Sequence, residues 1–136
     1  MKFVWLGLLC IVFFFGTGFT NPHDGGGEFH FSRKKGVDLT VSIQVINGRV
    51  QKVSYSEWTP VNRSAHECGF DASRSDDDSK WIDHGNTTTI TSGGDEDTMI
   101  TITTRPDGLV VKSGCDPDLK VLFARRDGKY VGRILP

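Results

Sequence analysis

The sequence predicts a mainly β chain, a single antiparallel barrel or sandwich of six to eight strands held by one disulfide. Three observations carry that prediction. Apolar and polar residues alternate strictly from Val37 to Val45, the period of a strand with one buried face. Asn47-Gly48 and Arg105-Pro106-Asp107-Gly108 punctuate runs rich in Val, Ile and Thr, which is how hairpin turns divide strands. Cys68 and Cys115 form an even pair once the N-terminal segment is set aside.

That segment comes first in the chain. Lys2 precedes an apolar run at residues 3–15, and small residues follow at Gly16, Gly18 and Thr20. A run of this length falls short of the ~20 residues needed to span a bilayer and has the pattern of a secretory signal. Residues 1–20 therefore read as a signal peptide, cleaved after residue 18 or 20. Cys10 follows Leu9 inside the apolar run and leaves with the signal. Losing Lys2 takes the 16 basic residues to 15 against 17 acidic ones, a formal charge of −2.

Residues 21–27 contain Pro22 and three consecutive glycines, and read as a flexible lead-in to a β-rich domain at 28–136. A short strand at 28–33 sets Phe29 and Phe31 on one face. In the strand at 37–45, Leu39, Val41, Ile43 and Val45 share a face. A three-residue loop, Ile46-Asn47-Gly48, would then pair Val41 with Val53 and Leu39 with Tyr55, keeping the apolar side chains together. Ser64-Ala65-His66-Glu67 reads as a short helix opened by a capping box, or as loop. Residues 81–82, 87–91 and 98–104 look extended. A strand at 109–112 returns from the Pro106 turn, and 129–135 is the last strand. Between them, 117–126 supports two readings. Asp116-Pro117-Asp118 with Leu119, Leu122 and Phe123 has the start and spacing of a helix, whereas Val121 and Phe123 before Arg126-Asp127-Gly128-Lys129 suit a strand and hairpin turn.

An even cysteine pair in an exported chain reads as a disulfide, joining Cys68 to Cys115. The compartment is then secreted or periplasmic, with no membrane anchor after cleavage. The near-zero charge argues against a nucleic-acid binder, which is usually basic. His23, His30, His66 and His84 form no metal-ligand spacing, and the sequence calls for no cofactor and no metal. Alternating oxygens at 71, 73 and 75 suggest calcium, but the glycine and terminal glutamate of an EF-hand loop are missing. A small secreted hydrolase would need a His–carboxylate set, and His30 on the first strand and Glu57 on the return strand could face one side of a sheet. Asn62-Arg63-Ser64 and Asn86-Thr87-Thr88 fit the glycosylation sequon.

Two acidic triplets, Asp76-Asp77-Asp78 and Asp95-Glu96-Asp97, sit in predicted loops. Clustered acids speed encounter with basic partners. The expectation is a non-enzymatic binding protein, of inhibitor or immunity type, that engages a cationic cell-wall-degrading muramidase or amidase through these triplets. A secreted hydrolase and a structural surface protein are the alternatives. In outline (signal peptide, short β-rich domain, one disulfide, acidic loops) the chain is similar to bacterial periplasmic lysozyme inhibitors and to periplasmic immunity proteins. The likeness is one of shape and carries no residue across.

Secretion should release a chain beginning at Phe19 or Asn21. Intact-mass measurement of the exported product checks this. A mass that retains residues 1–18, or a lipid adduct on Cys10, is the contrary result.

Overall fold

A computed structural model describes residues 22–32, 36, 38–61, 64–92, 99–115 and 118–136. Residues 1–20, expected as a signal peptide, lie outside them. The described residues contain ten strands and no helix: β1 (Gly25–Ser32), β2 (Asp38–Ile46), β3 (Arg49–Val61), β4 (Ser64–Ser73), β5 (Ser79–His84), β6 (Thr87–Ser92), β7 (Met99–Arg105), β8 (Gly108–Ser113), β9 (Lys120–Arg126) and β10 (Lys129–Leu135). Neighbours in sequence pair antiparallel, with one exception. No ladder joins β4 to β5, so the meander divides into a four-stranded sheet, β1-β2-β3-β4, and a six-stranded sheet, β10-β9-β8-β7-β6-β5. The architecture is sandwich-like, and no closed barrel forms.

The count exceeds the expected six to eight because β4 and β9 are both strands. β4 was expected as short helix or loop. Its period-two signal is there, with Phe70 and Ala72 buried between exposed Glu67, Gly69 and Asp71, but it is carried by few large side chains. β9 corrects the helix reading of 117–126. Leu119, Leu122 and Phe123 have helical spacing because β9 buries both parities: Phe123 joins the core, whereas Leu122 pairs with Val110 on the opposite face. At the end of β9, Asp127 (φ 50°) and Gly128 (φ 78°) take the two left-handed positions of a type I′ turn.

The first hairpin also differs from expectation. Asn47 (φ 53°) and Gly48 (φ 73°) form a two-residue turn of the same type, with Ile46 opposite Arg49 and Val45 opposite Val50. Taken alone, that register would turn β3 inside out. A bulge at Gln44/Val45 corrects it, so Gln44 pairs with Lys52, Ile43 with Val53, Val41 with Tyr55 and Leu39 with Glu57. The extra residue restores the parity that burial requires. Val50 and Val53 are both buried, three residues apart, only because of the bulge.

One core lies between the sheets. Leu39, Val41, Ile43, Val53, Tyr55 and Phe70 from the first meet Ile90, Ile100, Ile102, Val111, Val121 and Phe123 from the second. Leu39, Val41, Ile90, Ile100 and Phe123 are wholly inaccessible. Each such side chain contributes about 1.5–3 kcal/mol relative to exposure. The Cys68–Cys115 disulfide ties β4 to the segment after β8, one sheet to the other, across 47 residues of chain and a Cα–Cα distance of 6.4 Å. Loop-closure arithmetic gives such a link about 4 kcal/mol through the unfolded state.

The sheets also meet where β1 lies beside β10. Here the glycines expected as flexible lead-in are part of the strand: Gly25, Gly26 and Gly27 pair with Val45, Gln44 and Ile43. Even the residues before them are tied down. Asp24 Oδ1 accepts from the Gly48 amide at 2.9 Å, Arg125 Nη1 donates to the Asp24 carbonyl, and the Tyr130 hydroxyl donates to the His23 carbonyl. Absence of side chains, not backbone freedom, is what β1 needs at this seam. A Cβ on Gly27 would run into the carbonyl and Cβ of Tyr130, whereas one on Gly26 would meet only the Ile43 carbonyl at 3.6 Å.

Gly27→Ala should therefore destabilise the chain by about 1–3 kcal/mol, the usual range for overpacking, and Gly26→Ala by well under half as much. Paired thermal melts read the difference. Equal losses at the two positions would mean that β1 does not press on β10.

Candidate functional site

A cleft of about 330 Å³ lies between residues of both sheets, beside the β2–β3 and β5–β6 turns. Its floor is the edge of the core: Val45, Val50, Ile102 and Leu109. Its polar rim includes Arg49, Arg74, Asp83, Asn86, Thr88 and Tyr130. An apolar floor with a few converging polar groups is the general form of a ligand site.

Arg74 organises this rim. It follows β4 directly, and its amide bonds to the Gln51 carbonyl at 2.9 Å. Its Nε donates to the Val50 carbonyl at 2.7 Å, and its Nη1 and Nη2 donate to the two oxygens of Asp83 at 3.0 and 2.8 Å. The guanidinium lies over the Trp81 ring, 4.6 Å from its centroid. A bidentate fork of this kind fixes orientation as well as charge. Asp83 also accepts from Thr88 Oγ1 at 2.6 Å and from Arg49 Nη2. These donors, Arg74 first, then Thr88, with Arg49 adding to them, hold the Asp83 carboxyl well below the usual carboxylate range, against the opposing effect of burial. Tyr130 moves the other way: burial raises its phenol above the ordinary value, and Arg125 partly offsets the rise.

Arg49, Arg74 and Asp83 were not singled out from the sequence. The pairs are 34 and 9 residues apart in the chain, on four-stranded-sheet and six-stranded-sheet elements respectively. No local pattern records a contact that exists only because two sheets fold over each other.

Of the residues that were singled out, Asp76, Asp77 and Asp78 lie in the β4–β5 connection, immediately beyond Arg74, and all three are exposed. The base of this loop is pinned. Asp76 N bonds to the Ser73 carbonyl at 3.0 Å, Ser79 Oγ donates to the same carbonyl at 3.2 Å, and Trp81 Nε1 donates to Ser79 Oγ at 2.9 Å. None of the three carboxylates lines the cleft, and none has an ion pair among the described residues. The second triplet, Asp95, Glu96 and Asp97, lies outside the described residues, as does Asn62. Asn86 is exposed in the β5–β6 turn on the cleft rim.

The His30–Glu57 pair does not form. His30 pairs with Thr40 on the outer face, its Nδ1 3.0 Å from Thr40 Oγ1. Glu57 faces Leu39 on the inner side, is 7% exposed, and accepts from the Tyr55 hydroxyl at 2.7 Å. The two residues are on opposite faces of one sheet. Among the described residues no three His, Cys, Asp or Glu side chains converge on a common point where a metal could sit.

No family model matches this chain, and neither a curated protein nor a solved structure matches it significantly.

The Asp83 geometry sets a pH dependence. A depressed carboxyl favours the folded state above its unfolded pKa and loses that advantage as pH falls through the folded value. Asp83→Asn should cost on the order of 1–2 kcal/mol at neutral pH, since it leaves the largely buried Arg74 fork half-paired. The gap from wild type should hold down to about pH 4 and shrink below it. Denaturant titrations at a series of pH values measure this. A gap that stays constant into strong acid would assign the cost to packing alone.

Proposed function

We infer that this chain is an exported, non-enzymatic binding protein of inhibitor or immunity type, acting on a cationic partner such as a cell-wall-degrading muramidase or amidase. The observation that supports this most is the state of Asp76, Asp77 and Asp78: three adjacent exposed carboxylates without an intramolecular counterion among the described residues, on a loop whose base is held by Arg74, Ser79 and Trp81. Adjacent like charges repel, and the guanidinium of Arg74, two residues before Asp76 in the chain, is committed to Asp83. A basic partner relieves that repulsion. A pinned loop loses little conformational freedom on docking, so more of the contact energy remains as affinity. The disulfide fits an oxidising space outside the cytoplasm. Asp95, Glu96 and Asp97 extend the same proposal to the β6–β7 connection.

Replacing Asp76, Asp77 and Asp78 together by Asn should leave the melting temperature within about 2 °C, since surface substitutions of this kind usually change stability by at most ~0.5 kcal/mol. Association with a basic muramidase at low ionic strength should slow about tenfold, with much less change in dissociation, as for charges at an interface rim. Surface plasmon resonance at two salt concentrations reads both rates. Unchanged association for this variant and for the Asp95/Glu96/Asp97 equivalent would remove the acidic loops from the contact.

A further inference from the structure

The cleft beside that loop has a chemistry of its own, independent of any protein partner. Its floor is aliphatic: Val45 and Val50 from the first hairpin, Ile102 from β7 and Leu109 from β8. These side chains are at most 9% exposed, so the floor is continuous with the core. The rim above it is positively charged. Two guanidiniums, Arg49 and Arg74, face one carboxylate, Asp83, which leaves one net positive charge among these lining groups.

The two arginines are used differently. Arg74 is 17% exposed and spends its fork on Asp83 and the Val50 carbonyl. Arg49 is 60% exposed and has one partner among the described residues, through one Nη2 hydrogen to Asp83. A guanidinium carries five N–H donors, so four of those on Arg49 remain for a ligand. Asp83 is already satisfied by Arg74, Thr88 and Arg49. It therefore positions Arg49 at the lip and does not compete strongly for the remaining donors. The acidic loop does not enter the cleft: Asp76 borders a separate groove with Asp71 and Lys52 on the outer side of β3 and β4.

From these features we propose that the cleft binds a small alkyl carboxylate, its chain on Val45, Val50, Ile102 and Leu109 and its head accepting hydrogen bonds from Arg49. Arg–carboxylate pairs are strong and directional because two parallel N–H bonds can form. The volume, about 330 Å³, stands near the lower end of the roughly 300–1,000 Å³ of small-molecule sites. It suits a chain of medium length and excludes full enclosure of a long one. Burial of each methylene adds about 0.8 kcal/mol, so affinity should rise with chain length until the floor is covered and then level off.

The test is titration of the disulfide-bonded chain with octanoate, octanol, octylamine, acetate and hexadecanoate. Calorimetry gives affinity, and the methyl NMR signals of Val45, Val50, Ile102 and Leu109 give location. Octanoate should bind at least about tenfold more tightly than octanol or acetate, which is 1.4 kcal/mol, and should shift those methyl signals. Octylamine should bind more weakly than octanol, and hexadecanoate should gain little over octanoate. Arg49→Gln should weaken octanoate about tenfold and leave octanol unchanged. Its exposed side chain makes it a mild change to the fold, and the octanoate-to-octanol ratio in wild type stands whether or not the variant folds. Equal affinity for octanoate and octylamine, octanoate binding without the methyl shifts, or no octanoate binding at millimolar concentration would each overturn the proposal. The Asp76/Asp77/Asp78→Asn variant should bind octanoate like wild type, so loss of muramidase binding and loss of carboxylate binding are separate results.

Discussion

β4 and β5 follow one another in the chain yet share no ladder, and the rest of the molecule answers to that break. Had pairing continued, one ten-stranded sheet would have been left to bury its apolar face by curling alone. With the ladder interrupted, two sheets fold face to face, and every link between them must come from side chains or from close backbone contact. Three such links bracket the core. The Cys68–Cys115 bond joins β4 to the end of β8. The Arg74–Asp83 fork crosses the β4–β5 connection. The glycine-faced seam of β1 and β10 closes the remaining side. Between them, apolar burial supplies most of the stabilisation, and the links fix how the two layers are set.

The same break makes the cleft. Sheets that do not share hydrogen bonds can leave a gap between them, and here residues of both, from the turns at Gly48-Arg49 and Gly85-Asn86, line one cleft. The polar groups that reach across, Arg49 and Arg74 to Asp83, hold the sheets together and also line the opening. A residue that fastens and a residue that binds are thus neighbours on one rim. Arg74 is nearly buried and engages Asp83 and the Val50 carbonyl with all three of its nitrogens, while Arg49, on the other side of the same carboxylate, is still exposed.

Much of the fold was legible in the sequence because the signals were local. The alternation in β2, the Asn-Gly and Pro-Asp-Gly turns, and the Ile100/Ile102 parity in β7 each act within a few residues. The cysteine pairing was legible because, of three cysteines, Cys10 falls within the N-terminal apolar run, and the remaining two leave one choice. What was not legible depended on partners far away in sequence. Whether Leu122 marks a helix or an outward-facing strand position depends on Val110 beside it. Whether Gly25–Gly27 is loose or ordered depends on Tyr130, more than a hundred residues on. The hairpin register was misread by two residues because the bulge at Gln44/Val45 leaves no sequence mark beyond the spacing of Val50 and Val53. The rim of the cleft was invisible for the same reason. Arg49, Arg74 and Asp83 become a cluster only after the sheets are stacked.

The β1–β10 seam sets the order in which the chain can complete itself. Every hairpin along the meander joins strands that are consecutive in sequence, so each can form as soon as its second strand is available, with little loop-closure entropy to overcome. The seam alone requires the first strand to meet the last. Gly25 and Gly27 must wait for Gly128 and Tyr130, about a hundred residues further along the chain. Without β10 the hairpins of both sheets keep their pairing, but the side-chain-free edge of β1 is left uncovered and the hydrogen bond from the Tyr130 hydroxyl to the His23 carbonyl is lost. The seven residues of β10 thus close the sandwich through a contact that no local hairpin can make in advance.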